Sequence, residues 1–173
     1  MVEYRIYSDS WFTRTKSVAD SQGNVLYDIK RKGTFSRKHI ENHATGEILW
    51  QQKKKWEFAN EVDHTLVNVE RKKRFSGDDF GFEYGGVSYK WVAMSRWSKS
   101  KYKCVNCNND QQVAEFQYKH MSKTFGFVTV HPMPQWPVGL TELLIFTVVR
   151  LIEVQREEDA GTAAKAGDSA GSA

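Results

Sequence analysis

Short stretches of alternating apolar and polar residues run along most of the chain, as far as position 130. β-Branched and aromatic residues alternate with Lys, Arg, Glu and Gln, which is typical of strands with one buried and one solvated face. Turn signals rich in Gly, Asn and Asp separate these stretches at intervals of about ten residues. The predicted strands are 11–15, 25–30, 34–40, 47–51, 65–70, 80–84, 87–92, 101–105, 113–118 and 125–130.

The clearest predicted reversal of chain direction lies at Gly85 and Gly86. A two-residue glycine loop between two stretches of alternating aromatic and polar residues favours a tight β-hairpin. No helical periodicity separates the predicted strands. Such a series argues for an antiparallel meander, a sandwich or a barrel.

A densely apolar segment at 139–155 follows the last predicted strand. Its few polar residues, Thr147, Arg150 and Glu153, are three positions apart and form one narrow stripe on a helix. The other faces are apolar, so we predict a helix at about 140–156 that is surrounded by protein.

Two alternatives to a core helix are open for this segment. A pair of buried strands fits its many β-branched residues. A membrane span is disfavoured, because Arg150 and Glu153 interrupt the apolar run before it reaches about 20 residues. We predict one domain over residues 1–156 and a disordered tail over 157–173, where Ala, Gly, Ser and Asp dominate.

Charge and cysteine content narrow the expected partners and compartment. The net charge of +4 includes −3 on residues 157–173, which leaves +7 on residues 1–156. A basic surface favours anionic partners, although many basic domains are simply soluble. The N-terminus shows no secretory signal, and two cysteines cannot form a disulfide framework. We therefore expect a cytoplasmic protein that is not secreted, with a peripheral location at membranes as an open alternative.

Three segments carry a resemblance to a known superfamily. They are Arg74-Phe75-Ser76 with Tyr89-Lys90-Trp91, then Val113-Ala114-Glu115-Phe116, and finally Leu143 through Glu157. Their order resembles the tubby C-terminal-like superfamily, which includes tubby proteins, plant LURP-one-related proteins and phospholipid scramblases. The chain most resembles a fungal family of small tubby-C-like proteins without an assigned activity. One departure is Gly85-Gly86 before the Tyr-Lys-Trp segment, where the family often has Asp-Gly; either pair supports a hairpin.

The resemblance covers about residues 10–157 and implies a barrel around a central hydrophobic helix. Together with the strand pattern, it predicts a mainly β fold: a closed antiparallel barrel of about 10–12 strands that encloses one hydrophobic C-terminal helix.

The sequence motifs argue against catalysis. Phosphate-binding glycine loops are absent from the sequence. A Gly-x-Ser-x-Gly pattern occurs at 167–171, but it falls in the predicted tail and follows no predicted strand, whereas a catalytic serine of this motif sits on a strand-to-helix turn. Cys104 and Cys107 have the spacing of a metal knuckle, but a structural zinc site needs four ligands and no second Cys pair exists. We predict two inert thiols, no enzyme activity, no cofactor and no metal.

Basic runs at predicted strand ends are the candidate binding site. The residues that we select are Lys53, Lys54, Lys55, Arg71, Lys72, Lys73 and Arg74. Tubby domains hold phosphoinositide head groups on a basic surface, so the resemblance implies anionic phospholipid as the partner. The alternative is that these cations protect sheet edges from aggregation.

The sequence therefore predicts a non-enzymatic binding module that contacts anionic phospholipid or a membrane surface through a basic face. A scramblase-like protein whose helix enters lipid, and a protein-interaction domain that binds no lipid, are the alternatives. We expect a monomer that binds no nucleic acid.

Overall fold

The computed structural model describes residues 1–8, 15–32, 37–73, 78–95, 100–119 and 123–170. Within these ranges it contains thirteen strands and one helix. The strands are β1 (Val2–Ser8), β2 (Lys16–Ala19), β3 (Val25–Lys32), β4 (Arg37–Asn42), β5 (Ile48–Lys54), β6 (Glu57–Asn60), β7 (Leu66–Asn68), β8 (Glu70–Lys72), β9 (Asp79–Tyr84), β10 (Val87–Ala93), β11 (Lys101–Asn106), β12 (Gln112–Tyr118) and β13 (Thr124–Val130). The helix is α1 (Leu140–Ala170). β1, β2 and β6 have no counterpart among the predicted strands, and positions 11–14 of the first predicted strand lie outside the described residues.

All thirteen strands belong to one antiparallel sheet, in the order β7-β6-β5-β4-β3-β2-β1-β13-β12-β11-β10-β9-β8. Neighbours in the sheet are neighbours in sequence except β1 and β13, which pair from Val2 opposite Val130 to Tyr7 opposite Thr124. Only Val69 separates the two end strands, β7 and β8, and β7 lies beside β9. The sheet therefore curls into a nearly closed barrel.

Helix α1 fills the barrel. It begins after Gly139, whose φ of 83° is a conformation that favours glycine, and the Gly139 carbonyl accepts a hydrogen bond of 3.0 Å from Trp50 Nε1. The helical side chains from Leu143 to Phe146 have no exposed surface. A mainly β barrel with one apolar C-terminal helix is thus confirmed, and the alternative of two buried strands is wrong.

Polar side chains fix how the helix sits in the barrel. Trp91 Nε1 donates to Thr147 Oγ1 at 3.1 Å, and Tyr102 Oη donates to Gln155 Oε1 at 2.7 Å. Buried polar groups need such partners, because an unpaired donor or acceptor costs about 1–3 kcal/mol. The pairs hold the helix at one depth and one rotation.

The helix is longer than the sequence predicts. It continues past position 156, where we expected a tail, and runs to Ala170 over 31 residues in total. Alanine recurs at positions 160, 163, 164 and 166, and it has the highest helix propensity of all residues. We call residues 157–170 the helix extension. None of the described residues forms a helix that is long and apolar enough to cross a bilayer.

Candidate anion site at the end of the barrel where the helix leaves

Two strands that carry basic runs end beside the point where α1 leaves the barrel. β5 ends at Lys54 and turns through Lys55 and Trp56 into β6, while β8 ends at Lys72. The backbone N–H of Val69, just before β8, donates to the Trp56 carbonyl at 2.7 Å. This bond ties the β5–β6 turn to β8, so the two basic runs lie at the same end of the barrel.

The carboxylate of Glu158, in the helix extension, joins the two runs. Its oxygens accept a pair of hydrogen bonds from Arg71, Nη1 to Oε1 at 2.7 Å and Nη2 to Oε2 at 2.9 Å. Lys55 Nζ lies 3.8 Å from Oε1. We call the four residues Lys55, Arg71, Lys73 and Glu158 the exit rim.

Arg71 is held in place from several sides. Its Nε donates to Asp78 Oδ2 at 2.6 Å, and its guanidinium carbon lies 5.6 Å from the ring centre of Phe80. The hydrogen bond to Glu158 and that to Asp78 raise the pKa of Arg71 above its ordinary value. The planar group is therefore oriented before any ligand arrives, which favours binding of a two-oxygen anion.

The charges of the rim also act on Glu158. The hydrogen bond from Arg71 lowers the pKa of Glu158, and the positive charges of Lys55 and Lys73 lower it further. Three cations therefore surround one carboxylate. This is the part of the predicted basic site that the structure brings together.

Two predicted site residues are engaged elsewhere. Lys53 Nζ lies 2.9 Å from Glu61 Oε1, and Lys54 Nζ lies 3.3 Å from Glu57 Oε2. Neither contacts Glu158. Lys54 keeps 77% of its side chain exposed, so it adds positive charge to the neighbourhood of the rim without being part of it.

Of the last two predicted site residues, the structure describes only Lys72, which lies apart from this centre. Lys72 is exposed and lines an open groove of about 410 Å³ together with Glu70 and Lys90. The groove carries both signs of charge, and Glu158 is not among its lining residues. Arg74 lies outside the described residues.

A second charged group, which the sequence did not predict, lies inside the same end of the barrel. Lys16 Nζ lies 2.6 Å from Glu153 Oε1, and Lys38 Nζ contacts Glu153 Oε2. Arg150 Nη1 lies 3.6 Å from the same Oε2. We call Lys16, Lys38, Arg150 and Glu153 the inner cluster.

In the inner cluster, burial and the nearest opposite charges shift the pKa values of Glu153 and Lys38 in opposite directions. Burial on its own would raise the pKa of Glu153, but the charges of Lys16 and Lys38 outweigh it and lower the pKa to about 2. Burial and repulsion by the other cations lower the pKa of Lys38 to about 8, despite the attraction of Glu153. The Glu153 carboxylate is therefore ionised at neutral pH, and the pKa of Lys38 stays above 7.

The inner cluster shows what sequence patterns can and cannot find. Arg150 and Glu153 stand out on an otherwise apolar helix, and buried charges need partners. The partners Lys16 and Lys38 lie in strands where lysine ordinarily marks the solvated face. Only the three-dimensional structure, in which β2 and β4 lie on either side of β3 and both lysines contact Glu153 of the helix, reveals that these two lysines face inwards.

The two cysteines are placed differently from each other. Cys104 is buried and Cys107 is exposed. Burial raises the pKa of the Cys104 thiol well above its usual value. Across the described part of the chain, no group of three or more His, Cys, Asp or Glu residues is arranged to hold a metal ion. That both thiols are inert stays a prediction.

Comparisons with known proteins give information about the fold of the chain only. No protein-family model and no curated protein matches the chain. Among solved structures, the chain is similar to the X-ray structure of a protein from Arabidopsis thaliana, with a TM-score of 0.64 and 15% sequence identity. The match covers 90% of this chain and 91% of the plant protein. The match supports the fold, a nearly closed barrel with one C-terminal helix, whereas the superfamily and fungal family assignments stay predictions.

Proposed function

We propose that the protein is a non-enzymatic binding module that contacts anionic phospholipid through the exit rim. The observation that carries this proposal is the convergence of Lys55 and Arg71, from two separate strands, on one carboxylate. When both oxygens of a carboxylate accept hydrogen bonds from one guanidinium group, they take the positions that two phosphate oxygens would take. The rim is therefore built to hold an oxyanion.

The exposure of the neighbouring cations suits a membrane surface. Lys54 and Lys55 are 77% and 55% exposed, and Lys73 is also exposed. Each Lys or Arg near an anionic membrane contributes about 1 kcal/mol, and salt screens this attraction. We expect weak binding that depends on anionic lipid and weakens as salt is added.

The scramblase-like alternative gains no support from the helix. Insertion into lipid requires apolar helical residues to leave the barrel, yet Val148 and Val149 are fully buried within it. The inner cluster would also break, because Glu153 would lose Lys16 and Lys38. Removing one partner from a buried ion pair costs about 3–5 kcal/mol.

Vesicle co-sedimentation tests the proposal. The full chain is mixed at low salt with phosphatidylcholine vesicles, with or without phosphatidylserine and phosphoinositide. We expect the protein to pellet only with the anionic vesicles. The double variant Lys55→Gln/Arg71→Gln should lose most of this binding.

A matched control separates the rim from overall charge. Lys90 and Lys103 lie on β10 and β11 and are not among the described residues that contact Glu158, and Lys90→Gln/Lys103→Gln removes the same number of charges. This control should pellet nearly as well as the original protein, and thermal melting should show that both variants are folded. No pelleting of the original protein at low salt, or an equal loss in both variants, would refute the proposal.

A further inference from the structure

The exit rim already holds an oxyanion that belongs to the chain itself. Glu158 presents one carboxylate oxygen to each terminal nitrogen of Arg71, at 2.7 and 2.9 Å. These are the positions that two oxygens of a phosphate ester would take on the same guanidinium group. A ligand of this class and Glu158 therefore compete for Arg71.

Glu158 is poorly secured apart from these contacts. Its side chain is 43% exposed, and the helical residues from Arg156 to Thr162 are exposed as well. Exposed ion pairs are weak, because water solvates both partners and holding two long side chains costs entropy. Displacement of Glu158 by a phosphate ester is therefore easy compared with any change in the buried part of the helix.

The rim keeps its shape when Glu158 leaves. Asp78 continues to hold Arg71 through Nε, at 2.6 Å. With Glu158 gone, the three cations Lys55, Arg71 and Lys73 remain, and Asp78 still pairs with Arg71, so these four groups together carry a net charge of 3 − 1 = +2. An oriented site with excess positive charge is what an incoming phosphate ester requires.

We propose that Glu158 is an internal competitor for the anion site, and that a phosphate-ester ligand displaces it and releases the helix extension. This inference rests on the proposed function, because it names the regulation of the same rim. It predicts that the protein binds anions more weakly than its rim alone would.

The chain offers a closely matched control for this competition. Glu157 is the neighbouring residue, and its carboxylate contacts Arg150 at 3.4 Å. Glu157→Gln and Glu158→Gln each remove one negative charge from the same turn of the helix extension. Only Glu158→Gln removes the carboxylate that accepts hydrogen bonds from the two terminal nitrogens of Arg71.

The test compares three full-length proteins: the original, Glu158→Gln and Glu157→Gln. Each is titrated at low salt with anionic vesicles and, separately, with a free inositol phosphate. We expect Glu158→Gln to bind both probes about threefold to fivefold more tightly, which is the fold-change for losing an exposed ion pair. Glu157→Gln should match the original protein. Tightening with vesicles but not with the free phosphate would identify a lipid surface as the ligand source.

The outcomes separate this inference from the proposed function. If the original and Glu158→Gln bind with equal affinity, the competition is refuted and the anion site stands. If Glu158→Gln binds neither probe, the proposed function itself fails, because the competitor is already gone. Equal tightening in both variants would point to bulk charge and also refute the competition.

Hydrogen exchange gives a readout that does not need binding constants. Adding a saturating anionic probe to the original protein should speed amide exchange in residues 159–170, because the helix extension loses the contact between Glu158 and Arg71. Arg71→Gln should speed exchange in the same residues without any probe. Unchanged exchange in both cases would overturn the release of the helix extension.

Discussion

Replacing Glu153 by Gln tests how strongly the inner cluster stabilises the helix inside the barrel. Glu153 forms ion pairs with Lys16, Lys38 and Arg150, and its side chain is only 11% exposed. The change leaves three cations at the inner end of the barrel without this carboxylate. Two of them, Lys16 and Lys38, have 8% and 5% of their side chains exposed, so water cannot take over its role.

The pKa of Glu153 gives the expected magnitude. The two lysines outweigh burial and lower that pKa from 4.5 to about 2. A difference of this size corresponds to about 3 kcal/mol, since each pKa step of one is worth about 1.4 kcal/mol. The same range is typical when one partner of a buried ion pair is removed. We therefore expect Glu153→Gln to lower the free energy of unfolding by about 3 kcal/mol at pH 7.

Urea denaturation at pH 7 provides the measurement, with Glu157→Gln as the control. Glu157 has the same charge and also pairs with Arg150, but its side chain is 56% exposed. Its replacement should change the free energy of unfolding by less than about 1 kcal/mol. Equal effects of the two substitutions would refute the reasoning, because burial would then make no difference.

The same comparison has a defined pH dependence. The pKa of Glu153 is lower in the folded chain than in the unfolded chain, so its contribution is fully present above pH 4.5. The contribution is lost as the pH falls through about 2. The stability difference between the original protein and Glu153→Gln should therefore shrink across this interval. A difference that stays constant down to pH 2 would contradict the assigned pKa.

Two further substitutions and one labelling experiment probe the barrel. Gly126→Ala should destabilise the protein by about 1–3 kcal/mol in urea denaturation, because a Cβ there would lie 2.7 Å from the ring of Phe116; unchanged stability would contradict this packing. Trp91→Phe should cost about 1–3 kcal/mol, since a buried hydrogen bond to the helix is lost, and a neutral result would contradict that contact. A thiol reagent should label Cys107 in the folded protein and Cys104 only after unfolding; rapid labelling of both would contradict the burial of Cys104.

The fold was more predictable from the sequence than the arrangement of charge. Alternation located strands such as β10 and β13, and the apolar segment before Gln155 located the helix. β2 and β6 were missed because each has only four residues, too few for a periodic pattern. β1 was missed although Val2–Ser8 alternates, because its pairing with the distant β13 gives no local turn signal.

The candidate site was predictable only in part. The two basic runs stood out as charge clusters, but their convergence depends on the curl of the sheet, which includes the hydrogen bond from Val69 to Trp56, and on the helix extension. The extension was predicted as a tail, so the contact of Glu158 with Arg71 could not be foreseen. Long-range ion pairs of this kind have no signature in residue spacing.

The central claim is that Arg71, supported by Lys55, is the oxyanion-binding centre of the exit rim. Arginine side-chain NMR tests it directly, by following the Nε–H signals while a free inositol phosphate is added. We predict that the Arg71 signal shifts and saturates, whereas the signal of Arg150, which faces Glu153 inside the barrel, stays in place. An unmoved Arg71 signal, or equal and unsaturable shifts of both arginines, would contradict the claim.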